Sequence, residues 1–307
     1  MRIIITGALG HIGSHLLREI PKSSKFKDIT LIDSLATQRY TSLFNLPKNA
    51  NYKFLNKDIL KDDISESVEA GDIVINLSAM TDAEGSFEHA KLLEENNFQC
   101  TMRLAKICIQ NKAKLITLSS TSVYGDQSEL VDEDLAYSLL NPQSPYAETK
   151  LKEEKLISNL VEEEGLEAII LRFGTIFGVS KGMRFHTAVN KFCWQASLGE
   201  PLTIWESAYN LKRPYLDLID AASALLFLID FNKFDGNIYN IVTGNYTVKE
   251  VVDEIKKFTE VEIKFVNSKI INQLSYEVST EKIKNIGFLF NGNLTRSIED
   301  TLTLLNN

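Results

Sequence analysis

Cysteine is scarce, with three in 307 residues, at positions 100, 108 and 193. Three scattered thiols make neither a disulfide framework nor a metal knuckle, so Cys100, Cys108 and Cys193 read as reduced core side chains of a cytoplasmic protein. Histidine is almost as rare: His11, His15, His89 and His186 show no ligand spacing, and no metal is expected. His11 and His15 are four apart, but His15 is expected to pack behind the turn that precedes it. Positive charge is in the minority, 33 Lys and Arg against 41 Asp and Glu, for a net charge of −8. That balance argues against nucleic acid as a partner, although it allows a local basic pocket. Long apolar runs are missing too. The longest, Ala221 to Asp230, is interrupted by Ser223 and is too short to span a bilayer. No charged-then-apolar leader precedes the first strand, so no secretion signal and no membrane partner are expected. Repeats and low-complexity tracts are also lacking, and Glu162-Glu163-Glu164 reads as a solvated helix end.

What is present is an ordinary globular composition, 44% hydrophobic, with a length that suits about two domains. Apolar strands are expected near 2–6, 29–32, 52–55, 72–77, 114–119 and 167–173. Helical patterns fall between them near 12–20, 88–111 and 146–164. Such alternation predicts an α/β fold, a parallel sheet with helices on both faces. The chain beyond 173 is less regular, with helices expected near 183–198, 217–230 and 295–305 and a short strand near 262–266. This gives a first domain over 1–173 and a smaller lobe over 174–307.

Three motifs carry chemistry. After the first strand comes Thr6-Gly7-Ala8-Leu9-Gly10-His11-Ile12-Gly13-Ser14, a glycine turn opening a helix. Gly7, Gly10 and Gly13 suit a special backbone angle, close approach to a pyrophosphate and tight helix–strand packing. The helix N-terminus supplies unpaired N–H groups to phosphates. The second strand ends in Asp33, about 20 residues on, where a carboxylate accepts a ribose 2′-OH and repels a 2′-phosphate. The dinucleotide is therefore NAD in preference to NADP. The second motif is Ser119-Ser120-Thr121-Ser122 at the carboxyl end of a strand, where ligands sit in doubly wound sheets. A hydroxyl there can hold a reacting oxygen. The third is Tyr146-Ala147-Glu148-Thr149-Lys150. On a helix, Tyr146 and Lys150 share one face. The ammonium favours the phenolate, which can then act as a general base on an alcohol.

Together, Thr6-Gly7-x-x-Gly10-x-x-Gly13, Ser120 before Val123-Tyr124-Gly125, and Tyr146-x-x-x-Lys150 resemble the extended short-chain dehydrogenase/reductase family, in particular its NAD-dependent sugar-nucleotide epimerases and dehydratases. The resemblance covers nearly the whole chain and implies a Rossmann-type doubly wound sheet with a C-terminal α/β substrate lobe, the chain crossing between lobes more than once. It implies catalytic roles for Ser120, Tyr146 and Lys150, the last also bonding the nicotinamide ribose. For NAD it implies Gly7, Leu9, Gly10, His11, Ile12, Gly13, Asp33 and Ser34. Asp58-Ile59 resembles the pair that borders the adenine, and Asn76-Leu77-Ser78-Ala79 resembles the family's His-Leu-Ala-Ala turn. Asn97, Ser119 and Phe173 complete the cofactor set. For the substrate, a nucleotide-diphosphate sugar, it implies Thr81, Ser120, Ser122, Tyr146, Thr175, Arg184, Trp205 and Arg213. Arg213 stands in the segment that contacts the diphosphate, and Trp205 ends the strand beside the base.

The departures narrow the reaction. The 4,6-dehydratases place Asp-Glu directly after the active-site hydroxyl residue, where this chain has Thr121-Ser122. UDP-glucuronate decarboxylases carry a nearby glutamate that Ser122 replaces, and UDP-galactose 4-epimerases have an asparagine where Thr175 stands. The second diphosphate arginine is missing near 273–276, leaving Gln273, Tyr276 and Arg184 as candidates. The expected activity is C4 epimerisation by transient oxidation and hydride return. A net 4-dehydrogenase or ketoreductase uses the same residues and stays open. A non-catalytic NAD sensor would ordinarily have lost Tyr146 or Lys150. The resemblance also implies a homodimer through the 88–111 and 146–164 helices, with Leu92, Leu93, Met102 and Ile109 on the outer face of the first.

Overall fold

The structure, a computed structural model, describes residues 2–22, 25–81, 89–127, 130–267 and 275–306. Its frame is a sheet of seven parallel strands. In chain order the first part runs β1 (Ile3–Thr6), α1 (His11–Glu19), β2 (Asp28–Asp33), β3 (Asn51–Asn56), β4 (Ile73–Asn76), α2 (Ala90–Asn111), β5 (Lys114–Ser120), β6 (Leu130–Val131), α3 (Pro145–Glu164) and β7 (Ala168–Phe173). The second part runs β8 (Thr175–Phe177), α4 (Ala188–Ser197), β9 (Leu202–Trp205), β10 (Lys212–Asp217), α5 (Leu218–Phe231), β11 (Ile238–Ile241), β12 (Gly244–Thr247), α6 (Val248–Ile255), β13 (Ile263–Val266), β14 (Glu277–Val278), α7 (Glu281–Asn285) and α8 (Leu294–Asn306).

The strand order is β11-β7-β5-β4-β1-β2-β3. The chain builds outward from β1 to β3, then restarts at β4 and builds the other way. The crevice at the carboxyl ends of β1 and β4 is thus the topological switch point, where such sheets bind ligands. The isoleucines of β1 explain why the strand is central. Side chains alternate across a strand, so Ile3 and Ile5 enter the core shared with α1 and α5, while Ile4 enters the core shared with α2 and α3.

All six expected strands of the first part are present within a residue or two of their expected ends. The seventh, β11, was not foreseen; it comes from residues 238–241 and pairs with β7. It extends the sheet at its edge and joins α5 and α7 in the larger core, so the C-terminal part is shared between two cores. The smaller core draws on α4, β9, β10, α6 and α8. The helix expected from 183 starts at Ala188, after the extended Thr187. Residues 183–187 instead form a loop that brings Arg184 and His186 to the main cavity. Helix α6 was also missed, although Thr247-x-x-Glu250 forms a full capping box, a signature readable in advance. The apolar stripe on α2 needs correction. Leu93 is buried under the helix, leaving Leu92 exposed and Met102 and Ile109 half-buried.

Candidate active site

A cavity of about 1000 Å³ opens at the switch point and runs between the sheet and the smaller core. One end is built by the glycine turn. Gly7 has φ of +63°, and a Cβ there would lie 2.6 Å from the Leu77 carbonyl oxygen at the end of β4. A Cβ on Gly13 would lie 2.5 Å from the Ala8 carbonyl oxygen, so only glycine lets α1 close on its own turn. Asp33, ending β2, faces the cavity, with its carboxylate accepting the Leu9 N–H at 3.0 Å and the Leu35 N–H at 2.9 Å. His11 is buried against the Gly178 carbonyl at 2.8 Å, and burial pulls its pKa down to about 4. The ring is therefore neutral at pH 7 and donates from Nε2.

The other wall is built by α3 and the end of β5. Helix α3 starts where its sequence says it should: the Ser144 hydroxyl accepts the Ala147 N–H at 3.2 Å and Pro145 occupies the first turn. That fixes Tyr146 and Lys150 on the cavity side. The Lys150 Nζ lies 5.9 Å from the Tyr146 ring centre. Across from them, Ser120 accepts from both the Ser122 N–H at 3.2 Å and the Ser122 hydroxyl at 2.9 Å. The Ser120 hydroxyl itself lines the cavity. Burial pushes the Tyr146 phenol up, Lys150 pulls it down, Glu153 pushes it up and Arg184 pulls it down; the result lies above the ordinary tyrosine value.

Toward the smaller core the lining is basic and polar. Arg184, Lys191 and Arg213 bring positive charge, with Trp205, Thr175 and Tyr276 beside them. Arg184 donates to the Thr81 hydroxyl. Tyr276 is buried and bonds the Thr121 side chain, while Gln273 lies outside the described residues.

Of the residues expected at the site, Gly7, Gly10, His11, Ile12, Gly13, Asp33, Ser34, Asp58, Ile59, Leu77, Ser78, Ala79, Thr81, Ser119, Ser120, Ser122, Tyr146, Lys150, Phe173, Thr175, Arg184, Trp205 and Arg213 all line this one cavity. Leu9 and Asn97 do not. Leu9 is turned into the protein and acts through its N–H to Asp33. Asn97 is buried one layer back and clamps the Met80 N–H and carbonyl at 2.8 and 2.9 Å, shaping the turn after β4. Among the lining groups that escaped sequence reasoning are Arg39 and Lys57 near Asp33, Lys191 on α4, and Thr203 on β9. A basic or hydroxyl residue on a surface loop or helix gives no signal until the fold places it. Among the described residues no group of three or more His, Cys, Asp or Glu is placed to hold a metal ion, and no helix is long and apolar enough to cross a membrane.

A doubly wound sheet with a glycine turn and a Ser–Tyr–Lys cluster at its switch point defines a dinucleotide-binding enzyme class. Residues 3–242 match the sequence profile of the NAD dependent epimerase/dehydratase family, and the chain belongs to that family. An uncharacterized UDP-glucose epimerase of Bacillus subtilis is 32% identical over 249 residues, 78% of this chain and 76% of that protein. A trifunctional 4,6-dehydratase/3,5-epimerase/reductase of Arabidopsis thaliana is 28% identical over 299 residues, 93% of this chain but only 44% of that longer protein. In structure, a UDP-glucuronic acid 4-epimerase variant of Bacillus cereus, in complex with NAD and UDP-4-deoxy-4-fluoro-glucuronic acid, superposes with a TM-score of 0.90 at 25% identity, covering 99% of both chains.

Proposed function

We propose that the protein is an NAD-dependent epimerase of a nucleotide-diphosphate sugar, inverting C4 by transient oxidation. The observation that carries this reading is convergence: Ser120, Tyr146 and Lys150 share one cavity with the Gly7–Gly13 turn and Asp33. The residues fit a dinucleotide: glycine at 7 and 13 lets the turn pack tightly against Leu77 and Ala8, leaving the helix α1 N-terminus and Asp33 lining the same cavity. NAD, when bound, supplies the acceptor and donor of hydride. The turn N–H groups would hold its pyrophosphate, and Asp33 would accept its ribose hydroxyl and repel a 2′-phosphate. Tyr146 as phenolate takes the proton from the C4 hydroxyl and later returns it. Ser120 donates its hydroxyl hydrogen to that oxygen. Arg184, Lys191 and Arg213 hold the diphosphate, and Trp205 borders the base. Thr81, Ser122 and Thr175 line the sugar position. Because Thr121-Ser122 offers no carboxylate beside Ser120, elimination of water has no acid–base pair here.

Bacterial relatives and neighbours named for UDP-sugars make uridine the first nucleotide to test. The protein is incubated with NAD or NADP and a panel of UDP-, GDP-, CDP- and dTDP-sugars, and products are resolved by NMR. The expected result is a C4 epimer with NAD, no net build-up of reduced nicotinamide and no support from NADP. Stoichiometric reduced cofactor with a 4-keto product would overturn the epimerase reading in favour of a net dehydrogenase.

The proposal includes a cytoplasmic homodimer. Three buried free thiols suit a reducing compartment. The pairing face is the outer side of α2 and α3, where Leu92 is 57% exposed. Light scattering is expected to give about twice the 34.6 kDa chain mass, and Leu92→Lys to halve it.

A further inference from the structure

The Lys150 ammonium is engaged by a group that the proposed chemistry does not use. Its Nζ lies 3.0 Å from Glu153 Oε2, with the two side chains 5% and 3% exposed. The same oxygen accepts the Thr101 hydroxyl of α2 at 2.8 Å. Asn76, at the end of β4, donates to Thr101 at 3.2 Å and accepts the Thr6 hydroxyl of β1 at 3.0 Å. The chain of bonds therefore runs from the two switch-point strands through α2 to Lys150. It holds Glu153 from outside its own helix. Glu153 Oε1 is buried and has no hydrogen-bond partner among the described residues. A carboxylate half satisfied in a dry site is costly. Its retention beside Lys150 calls for a role that packing alone does not provide.

We propose that Glu153 is a positioning residue for the Tyr146–Lys150 pair, fixing the ammonium and offsetting part of its charge at the tyrosine. This rests on the reading of Tyr146 as the base. From α3, Tyr146 is faced by Lys150 and Glu153; from the loop before α4 it is faced by Arg184. Lys150 is faced by Glu153, Tyr146 and Glu154. On the α2 side stands Cys100, whose thiol burial pushes up to about 12, with Asp58 and Arg103 beyond it. Burial alone would lower the Lys150 ammonium, but Glu153 and then Tyr146 reverse that and hold it above its ordinary value. Glu153 thus keeps Lys150 charged yet opposes it at the phenol. Lys150 still outweighs Glu153 at the phenol, and Arg184 adds a smaller pull toward phenolate.

The test needs no substrate. Tyrosinate absorbance is titrated in the protein and in its Tyr146→Phe form, and the difference reports Tyr146 alone. The same pair is then measured in the Glu153→Gln background. Loss of the negative charge is expected to lower the Tyr146 midpoint by about one pH unit. Glu153→Met carries the same expectation should the Gln form not fold. Glu153→Asp, which keeps the carboxylate, is expected to stay near the wild-type midpoint. A midpoint that stays or rises in both charge-free forms overturns the proposal, even if their melting temperatures fall, because only packing would then be at stake. An Asp form shifted as far as the Gln form overturns it as well. Failure of the sugar-nucleotide reading would be seen as absent turnover and would leave this titration intact.

Discussion

Tyr146→Phe is expected to lower turnover by about a hundred- to ten-thousand-fold, the span over which a positioned general base contributes. The change removes one oxygen and nothing else. The ring still packs in the first turn of α3, and the Ser144 cap and Pro145 that start the helix are untouched. The Lys150–Glu153 pair keeps its 3.0 Å bond, since neither partner depends on the phenol for it. Cofactor binding should therefore persist, because Asp33 and the glycine turn lie at the other end of the cavity. KM should move only a few-fold while kcat collapses, the pattern of an interaction made in the transition state. In the wild-type enzyme, activity should rise with pH as Tyr146 ionises, because the protonated phenol, which burial favours, cannot accept the C4 proton. Full turnover in the Phe form would remove Tyr146 from the chemistry.

The first part of the fold was legible because its signals are local. Three isoleucines, a glycine turn and an acid at the end of the next strand specify β1, α1 and β2 with no long-range information. Ser144-Pro145 places Tyr146 and Lys150 in the same way. What was not legible depends on partners distant in the chain. Glutamate shows this within a single helix. Glu162, Glu163 and Glu164 are exposed, as their charge leads one to expect, whereas Glu153 and Glu154 are almost fully buried. The difference lies in Thr101 of α2 and Arg172 of β7, 52 and 18 residues away from the acids they bind. No periodicity in α3 encodes them. Strand β11 escaped for a related reason: four residues, Ile238 to Ile241, become a strand only because β7 offers a free edge. Arg39, Lys57 and Lys191 likewise become site residues only when loops and α4 are folded around the cavity.

Glu154→Ala is expected to be the most destabilising single change near the site, at about 3–5 kcal/mol, the cost of leaving a buried charge unpaired. Glu154 accepts Arg172 Nε at 2.9 Å and Nη2 at 2.7 Å, with both side chains 1% exposed. It also accepts the Ser119 hydroxyl at 2.5 Å. The guanidinium left behind cannot shed its proton to escape, since arginine stays protonated in proteins even without its partner. It lies 4.8 Å over the Tyr124 ring, and Tyr124 in turn donates to Asn240 of β11 at 2.9 Å. The carboxylate thus ties α3 to β5 and β7, with β11 reached through Tyr124, next to Ser120. Against a total stability of about 5–15 kcal/mol, its loss should lower the melting temperature by about 10 °C and cut activity as Ser120 loses its support. The sharper comparison is with Glu154→Leu/Arg172→Met, which removes both charges at similar volume. That double form is expected to melt above Glu154→Ala, because the penalty lies in the stranded charge and not in the absent bond. If Glu154→Ala melts within a degree of wild type, the ion pair is not what holds this corner of the sheet; if the double form melts lower still, the pair is stabilising in its own right and the cost assigned to stranding is wrong.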